Sequence, residues 1–275
     1  MRHRPHILAL LFALSACGGP REVGPISGTI AVGAEITHLS VQVEHGSVTV
    51  LPGEPDQPLR FEGEILRVAG DPKALAALHA LDLDLRPVAE APAGTLLLTL
   101  PKLPAGLDPQ ACRIAVRVVM HVPPRLSVSV RTGVGHVKIV AAAGGCDAEV
   151  ELGDIAFQRC GGLARGRAAH GNILVDGHQG AVDVEAPGGM LQVFVTRLDP
   201  PGLRVSGRDP IAVHLPRLAG FQLDAVAERN KCVNGFGLPV VGEGAGERMA
   251  GPANGGGPEV HVRAAFGRVS VAAGD

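Results

Sequence analysis

The stretches GHVKIV (135–140), GDIAFQ (153–158), GNILVD (171–176) and GMLQVF (189–194) begin 18 residues apart each time. Glycine by itself is a weak marker, because 38 of the 275 residues are glycine, so the flanking positions must carry the period. They do. Two residues after each glycine stand Val137, Ile155, Ile173 and Leu191, and four after stand Ile139, Phe157, Val175 and Val193. Five before stand Val130, Ala148, Gly166 and Val184, and three before stand Thr132, Val150, Ala168 and Ala186. Apolar or small residues at every second place on both sides of a glycine spell strand, turn, strand.

The places between them carry charge. Four before each glycine stand Arg131, Glu149, Arg167 and Glu185; six before stand Ser129, Asp147, Arg165 and Asp183. If successive repeats stack about 4.8 Å apart, each place becomes a column. The first column then alternates in sign, which attracts across neighbouring strands where like charges would repel. The template returns at Val41, Val43, Gly46, Val48 and Val50, and again at Val262, Ala264, Gly267, Val269 and Val271. Gly207 keeps the step, but Asp209-Pro210 pushes the apolar pair on to Ile211 and Val213, so the array loosens there.

One such coil cannot bury its apolar face alone, whereas stacked coils share an interior. The pattern therefore predicts an all-β fold, a single-stranded β-solenoid (β-helix or β-roll) with coils of about 18 residues over 26–275, regular over about 126–198. Gly46, Gly135, Gly153, Gly171, Gly189 and Gly267 take the coil turns, at φ values a side chain would resist. Asp71 as N-cap and Pro72 at the first helical position mark one short helix near 71–80. Segments 81–86, 95–100 and 112–122 read as strands, Pro123-Pro124 as a turn, and the glycine-rich 241–258 as a flexible insertion loop.

The first residues read as an export signal. Arg2 and Arg4 precede the apolar run Ile7 to Leu14, which is too short to span a bilayer, a task for roughly 20 residues. Leu14-Ser15-Ala16-Cys17 resembles a bacterial lipobox. That resemblance implies a signal peptide over 1–16, lipidation (a palmitate-type acyl anchor) on Cys17, and a tether over 17–25. The competing reading is an ordinary secretory signal with an incidental cysteine. Gly18 in place of an aspartate resembles the default outer-membrane destination, on its periplasmic or surface face.

Composition excludes several functions. The formal net charge is -2, with no clustered basic face for nucleic acid. Trp and Tyr are absent and Phe numbers 7, so stacking platforms for bases or sugars are scarce.

"VQVEHGSVTV" (41–50), "HVPPRLSVSVRTGVGHVKIV" (121–140) and "VHVRAAFGRVSV" (260–271) together resemble a family of bacterial β-solenoid domains known as putative adhesins, often carried on exported or membrane-anchored proteins. The likeness spans roughly 26–274. It implies surface attachment and supplies no catalytic motif.

Four cysteines follow Cys17, and an exported chain meets an oxidising compartment. In the repeat register Cys146 opens one strand and Cys160 closes the strand of the next coil, across one corner, which predicts Cys146–Cys160 and by elimination Cys112–Cys232. Cys160 shares a column with His178, so a Cys-His nucleophile or a zinc site with Cys146 is the chemical alternative, short of a fourth ligand. His136 and His170 fall almost two coils, roughly 10 Å, apart, too far for one metal. Asp154 and Asn172 suit local backbone bonding in turns. Asp154, Asp176 and Asp183 lie on different faces, unlike the convergent carboxylates of a polysaccharide-cleaving solenoid.

The sequence thus predicts a lipid-anchored, non-catalytic envelope protein without cofactor or metal. It would meet the membrane through Cys17 and bind a cell-surface or envelope polymer or protein, or act as a scaffold. A self-assembling structural protein, joined through open coil ends, is the alternative. A polysaccharide-acting hydrolase ranks third.

Overall fold

The computed structural model describes residues 19–81, 86–88, 91–100, 103, 106–108, 110–242 and 246–274. The signal segment 1–16 and Cys17 lie outside the described residues, as do 82–85 of the expected strand 81–86. The fold is all-β, with the α-helix Pro72–His79 as the one helix among the described residues. The Asp71 side chain accepts from the Ala74 amide at 2.8 Å, and Pro72 occupies the first turn, as the capping logic requires.

The central block is a stack of parallel strands in two ladders. In one, Ser127–Val134 pairs with Cys146–Leu152, then with Gly161–His170, then with the second half of Ile173–Ala186. In the other, Val137–Val140 pairs with Ile155–Gln158, then with the first residues of Ile173–Ala186, then with those of Leu191–Gly207. Partners such as Val137, Ile155, Ile173 and Leu191 face one another at the 18-residue step. Their side chains are at most 1% exposed, and each is worth about 1.5–3 kcal/mol of burial. Alternation delivers the other face to solvent, and Arg131–Glu149 and Arg167–Glu185 meet there at 3.1 Å and 2.7 Å.

The turn glycines do more than bend the chain. Gly135, Gly153 and Gly171 have φ of 148°, 140° and 154°, where side chains are disfavoured. Gly189 and Gly267 do not take the left-handed φ expected of them, yet Gly189, like those three, lies against the carbonyl oxygen of the glycine one step back: Gly135 on Gly46, Gly153 on Gly135, Gly171 on Gly153 and Gly189 on Gly171. A methyl at any of them would overlap that oxygen. Gly267 instead packs over the backbone of Asp209 and Pro210.

The residue after each glycine ties one coil to the next. The Asp154 carboxylate accepts from the Asn172 amide at 2.8 Å and from its side chain at 3.0 Å. Asn172 in turn accepts from the Met190 amide at 2.9 Å, and His136 Nδ1 accepts from the Asp154 amide at 3.2 Å. These turn residues therefore bond between coils, where the sequence suggested bonding within a turn. Met190 has no polar side-chain atom to continue the chain of bonds. Beyond it the step lengthens to 20 residues, Leu191 facing Ile211.

Both ends depart from sequential coils. Arg21–Ile30 runs antiparallel to Leu59–Val68, itself antiparallel to Arg113–Val122, so residues 21–25 belong to the sheet and not to a tether. At the other end Glu259–Ala264 sits between the strands 202–207 and 222–227, out of chain order. Residues 241–258 are not a loop throughout: Glu247–Ala253 pairs antiparallel with Phe221–Ala227. Met249 and Ala253 are buried at 0% and 4%, and Gly251 between them disguised the strand's alternation. The single-stranded stack expected over 26–275 is not what the chain as a whole forms: sequential parallel pairing holds in the central block, and antiparallel strands flank it at both ends.

The glycine contacts predict an unequal pair of alanine variants. Gly94 also has positive φ, 74°, but its nearest neighbours stand 3.5 Å away. Gly94→Ala should cost about 1–2 kcal/mol from backbone strain alone. Gly153→Ala should cost at least about 3 kcal/mol, since overlap adds to strain. Urea denaturation followed by circular dichroism measures both; equal losses would refute the close-approach role.

Candidate functional site

The outward face of the first ladder forms the floor of a groove of ≈ 910 Å³. Along it the register sets Gln42, Arg131, Glu149, Arg167 and Glu185 in one row across five strands, about 19 Å long at 4.8 Å per strand. Leu100, Leu103 and Ile114 form an apolar wall, and Glu44, His45 and Glu151 line the rest. Thr95–Thr99 carries the chain to this wall by pairing with 38–42, far from it in sequence. Thr132, buried at 5%, donates to the Gly46 carbonyl at 3.3 Å and fixes the bend beneath the floor.

The described lining residues hold four carboxylates (Glu44, Glu149, Glu151 and Glu185) against the guanidiniums of Arg131 and Arg167. The surplus is negative, so the groove repels polyanions and suits neutral, zwitterionic or cationic ligands. Two of the four carboxylates are engaged by the arginines, which leaves the row able to offer both donors and acceptors.

His38 and His45 are partly enclosed and His178 fully, and of these His45 lines the groove. His38 bridges the hydroxyls of Ser127 and Ser129 at 2.8 Å and 3.0 Å. Burial holds His38 below the ordinary 6.5, with Asp147 opposing and Arg131 assisting. Burial likewise lowers His45, against Glu44. His178 is fully buried; its Nε2 donates to the carbonyls of Gly162 and Ala181 at 3.1 Å and 3.0 Å, and burial lowers its pKa despite them.

The sequence-predicted site residues divide accordingly. Gly46, Gly135, Gly153, Gly171 and Gly189 stack, and Gly267 closes a different contact. Cys112, Cys146, Cys160 and Cys232 are free, buried thiols. Cys146 and Cys160 come to one stacked corner, with Cys146 facing Ala164 and the Gly161 amide bonded to the Ala142 carbonyl at 2.8 Å, but both are free thiols and the expected disulfide is not formed. Cys112 and Cys232 do not come together: eight strand-to-strand steps separate the strand that Cys112 precedes from that of Cys232, about 38 Å. A disulfide spans less than 7 Å between Cα atoms, so that pairing is corrected. Cys160 and His178 share a column, but the imidazole bonds backbone carbonyls, not the thiol, and no Cys-His nucleophile forms. No group of three or more His, Cys, Asp or Glu among the described residues is placed to hold a metal. His136 is committed to the turn chain, Asp154 to Asn172, and Asp183 to Arg165 at 3.7 Å.

No family model matches the chain, and no curated protein matches it. Several solved structures are similar to it. A putative cell adhesion protein from Clostridium sporogenes ATCC 15579 shares 11% identity, over 92% of this chain and 100% of that chain, with a TM-score of 0.38. A putative adhesin from Bacteroides fragilis NCTC 9343 shares 12% over 92% and 97%, with a TM-score of 0.35. A putative adhesin from Parabacteroides distasonis ATCC 8503 shares 11% over 94% and 98%, with a TM-score of 0.33.

Buried His178 and half-buried His38 and His45 predict acid sensitivity. Each is held below 6.5, so on acidification the unfolded chain takes up protons that the folded chain refuses. Stability is full above about pH 6.5 and falls as the pH drops below it. The urea midpoint should decline from pH 7.5 to 5.5, and His178→Gln, which keeps a donor for the Gly162 carbonyl, should flatten that decline. A midpoint independent of pH in this window would contradict it.

Proposed function

We propose that the chain is an exported, lipid-anchored envelope protein whose central stack is a short β-solenoid that binds a surface or envelope polymer or protein without a chemical step. The groove across five strands is the observation that carries the reading. Its row of donors and acceptors repeats at the strand spacing, which suits an extended ligand lying along the stack. The ligand is neutral, zwitterionic or cationic, given the surplus of carboxylates on the lining. Glu149 and Glu185, tied to arginines, and Asp154, tied to a turn amide, are poor candidates for general acid and base work, which leaves the hydrolase reading only Glu44 and Glu151 of the lining carboxylates. Attachment through acylated Cys17 follows from the lipobox-like sequence, and no helix among the described residues is long and apolar enough to cross a membrane. The antiparallel strands at both ends weigh against assembly through open coils.

A sedimentation experiment tests this. Protein with Cys17→Ser is spun alone and with isolated envelope or polysaccharide fractions. Saturable pelleting only with a fraction is expected, and Ala169→Trp, which fills the groove from an exposed position, should weaken it at least tenfold. Pelleting of the protein alone would favour a polymerising scaffold. Binding indifferent to Ala169→Trp would remove the groove from the account.

A further inference from the structure

Two buried thiols meet where successive corners stack. Cys146 opens the strand Cys146–Leu152 and faces Ala164 of the next coil, while Cys160 closes the corner that leads into Gly161–His170. They are 4% and 1% exposed, and the pairing of Cys146 with Ala164 together with the 2.8 Å bond from the Gly161 amide to the Ala142 carbonyl sets their two corners one strand apart. Cys160 Sγ also lies 3.5 Å from the Ile139 carbonyl and 3.6 Å from that of Gln158, which fixes the sulfur inside the corner. His178 and the remaining cysteines stay out of this contact, since the imidazole Nε2 serves the Gly162 and Ala181 carbonyls and Cys232 Sγ approaches the Glu247 carbonyl at 3.2 Å.

We propose that Cys146 and Cys160 are an oxidation site, forming a disulfide that staples two successive corners as the chain folds. The oxidant is a disulfide, of a small molecule or of a thiol oxidoreductase. The Cys160 thiolate attacks one of its sulfurs and expels a thiolate, giving a mixed disulfide on Cys160. Cys146 then loses its proton to that released thiolate and attacks Cys160 Sγ, expelling the second thiolate, which takes up the proton that Cys160 had lost. Two cysteine thiols are oxidised and one oxidant disulfide is reduced to two thiols. Once the corner is packed, the neighbouring Cys146 holds the Cys160 thiol below its ordinary value, with burial opposing, while the same neighbour and burial push Cys146 well up, so Cys160 is the more readily ionised of the two. The proposal leans on export only for the oxidant in the cell, so a test in vitro separates it from the binding reading.

The full chain with Cys17→Ser is refolded in a glutathione redox buffer, unfolded without reductant, alkylated with N-ethylmaleimide and weighed. Two adducts are expected, on Cys112 and Cys232, with a proteolytic peptide pair linked through Cys146 and Cys160. Reduction should lower Tm by about 6–12 °C, the effect of opening a 15-residue loop in a domain of this size. Cys146→Ala should give three adducts and no linked peptide. If that variant fails to fold, the peptide map of the parent decides alone. Four adducts, a linkage through Cys112 or Cys232, or a linked pair with no change in Tm would overturn the proposal.

Discussion

The close approach of Gly135, Gly153, Gly171 and Gly189 to the carbonyl oxygen of the glycine one step back is what the rest of the structure depends on. It lets Gly46, Gly135, Gly153, Gly171 and Gly189 stack backbone on backbone. With that contact the two ladders on either side of the bend keep strand spacing, and every interior column stays in register. Remove it and the apolar columns lose their alignment together. A one-residue slip would turn each interior side chain toward solvent.

Three further features follow from that spacing. The charge column can alternate because residue 131 faces 149 and 167 faces 185. The turn residues can pass hydrogen bonds from coil to coil, through His136, Asp154 and Asn172, because each side chain is one strand away from the next amide. The corners at Cys146 and Cys160 meet for the same reason. Where Met190 interrupts the polar chain and Pro200-Pro201 enters, the step changes, and strands from later in the sequence complete the sheet. The groove lies over the part where the step is most regular, so its row of side chains inherits that regularity.

Much of this was legible in the sequence because a fixed period converts into contact. Residues 127–194 repeat a template, and a repeat states its own partners. The same arithmetic brought Cys146 and Cys160 to one corner, where both stand as free thiols and not as the disulfide it suggested. The ends were not legible. Glu259–Ala264 inserts between two strands that precede it, and nothing local in its sequence names them. Glu247–Ala253 hid behind Gly251, since glycine at an inward position reads as loop. Cys112–Cys232 failed because elimination is not geometry. The groove was missed because its apolar wall comes from Leu100 and Leu103, which share no period with the floor they face. His178 was legible only by column: its neighbour Cys160 was correct, but the carbonyls that capture its ring are those of Gly162, one strand back, and of Ala181 on its own strand.

The most direct test of the 18-residue step is duplication. Repeating residues 135–170 once inserts two whole coils and preserves the glycine stack, the turn chain and the alternation of charge. Repeating 135–161 inserts one and a half. The account predicts that the first variant unfolds in a single cooperative transition with a proportionate gain in β-type circular dichroism, and that the second loses cooperative folding. If the two variants behave alike, the fixed step does not govern the fold.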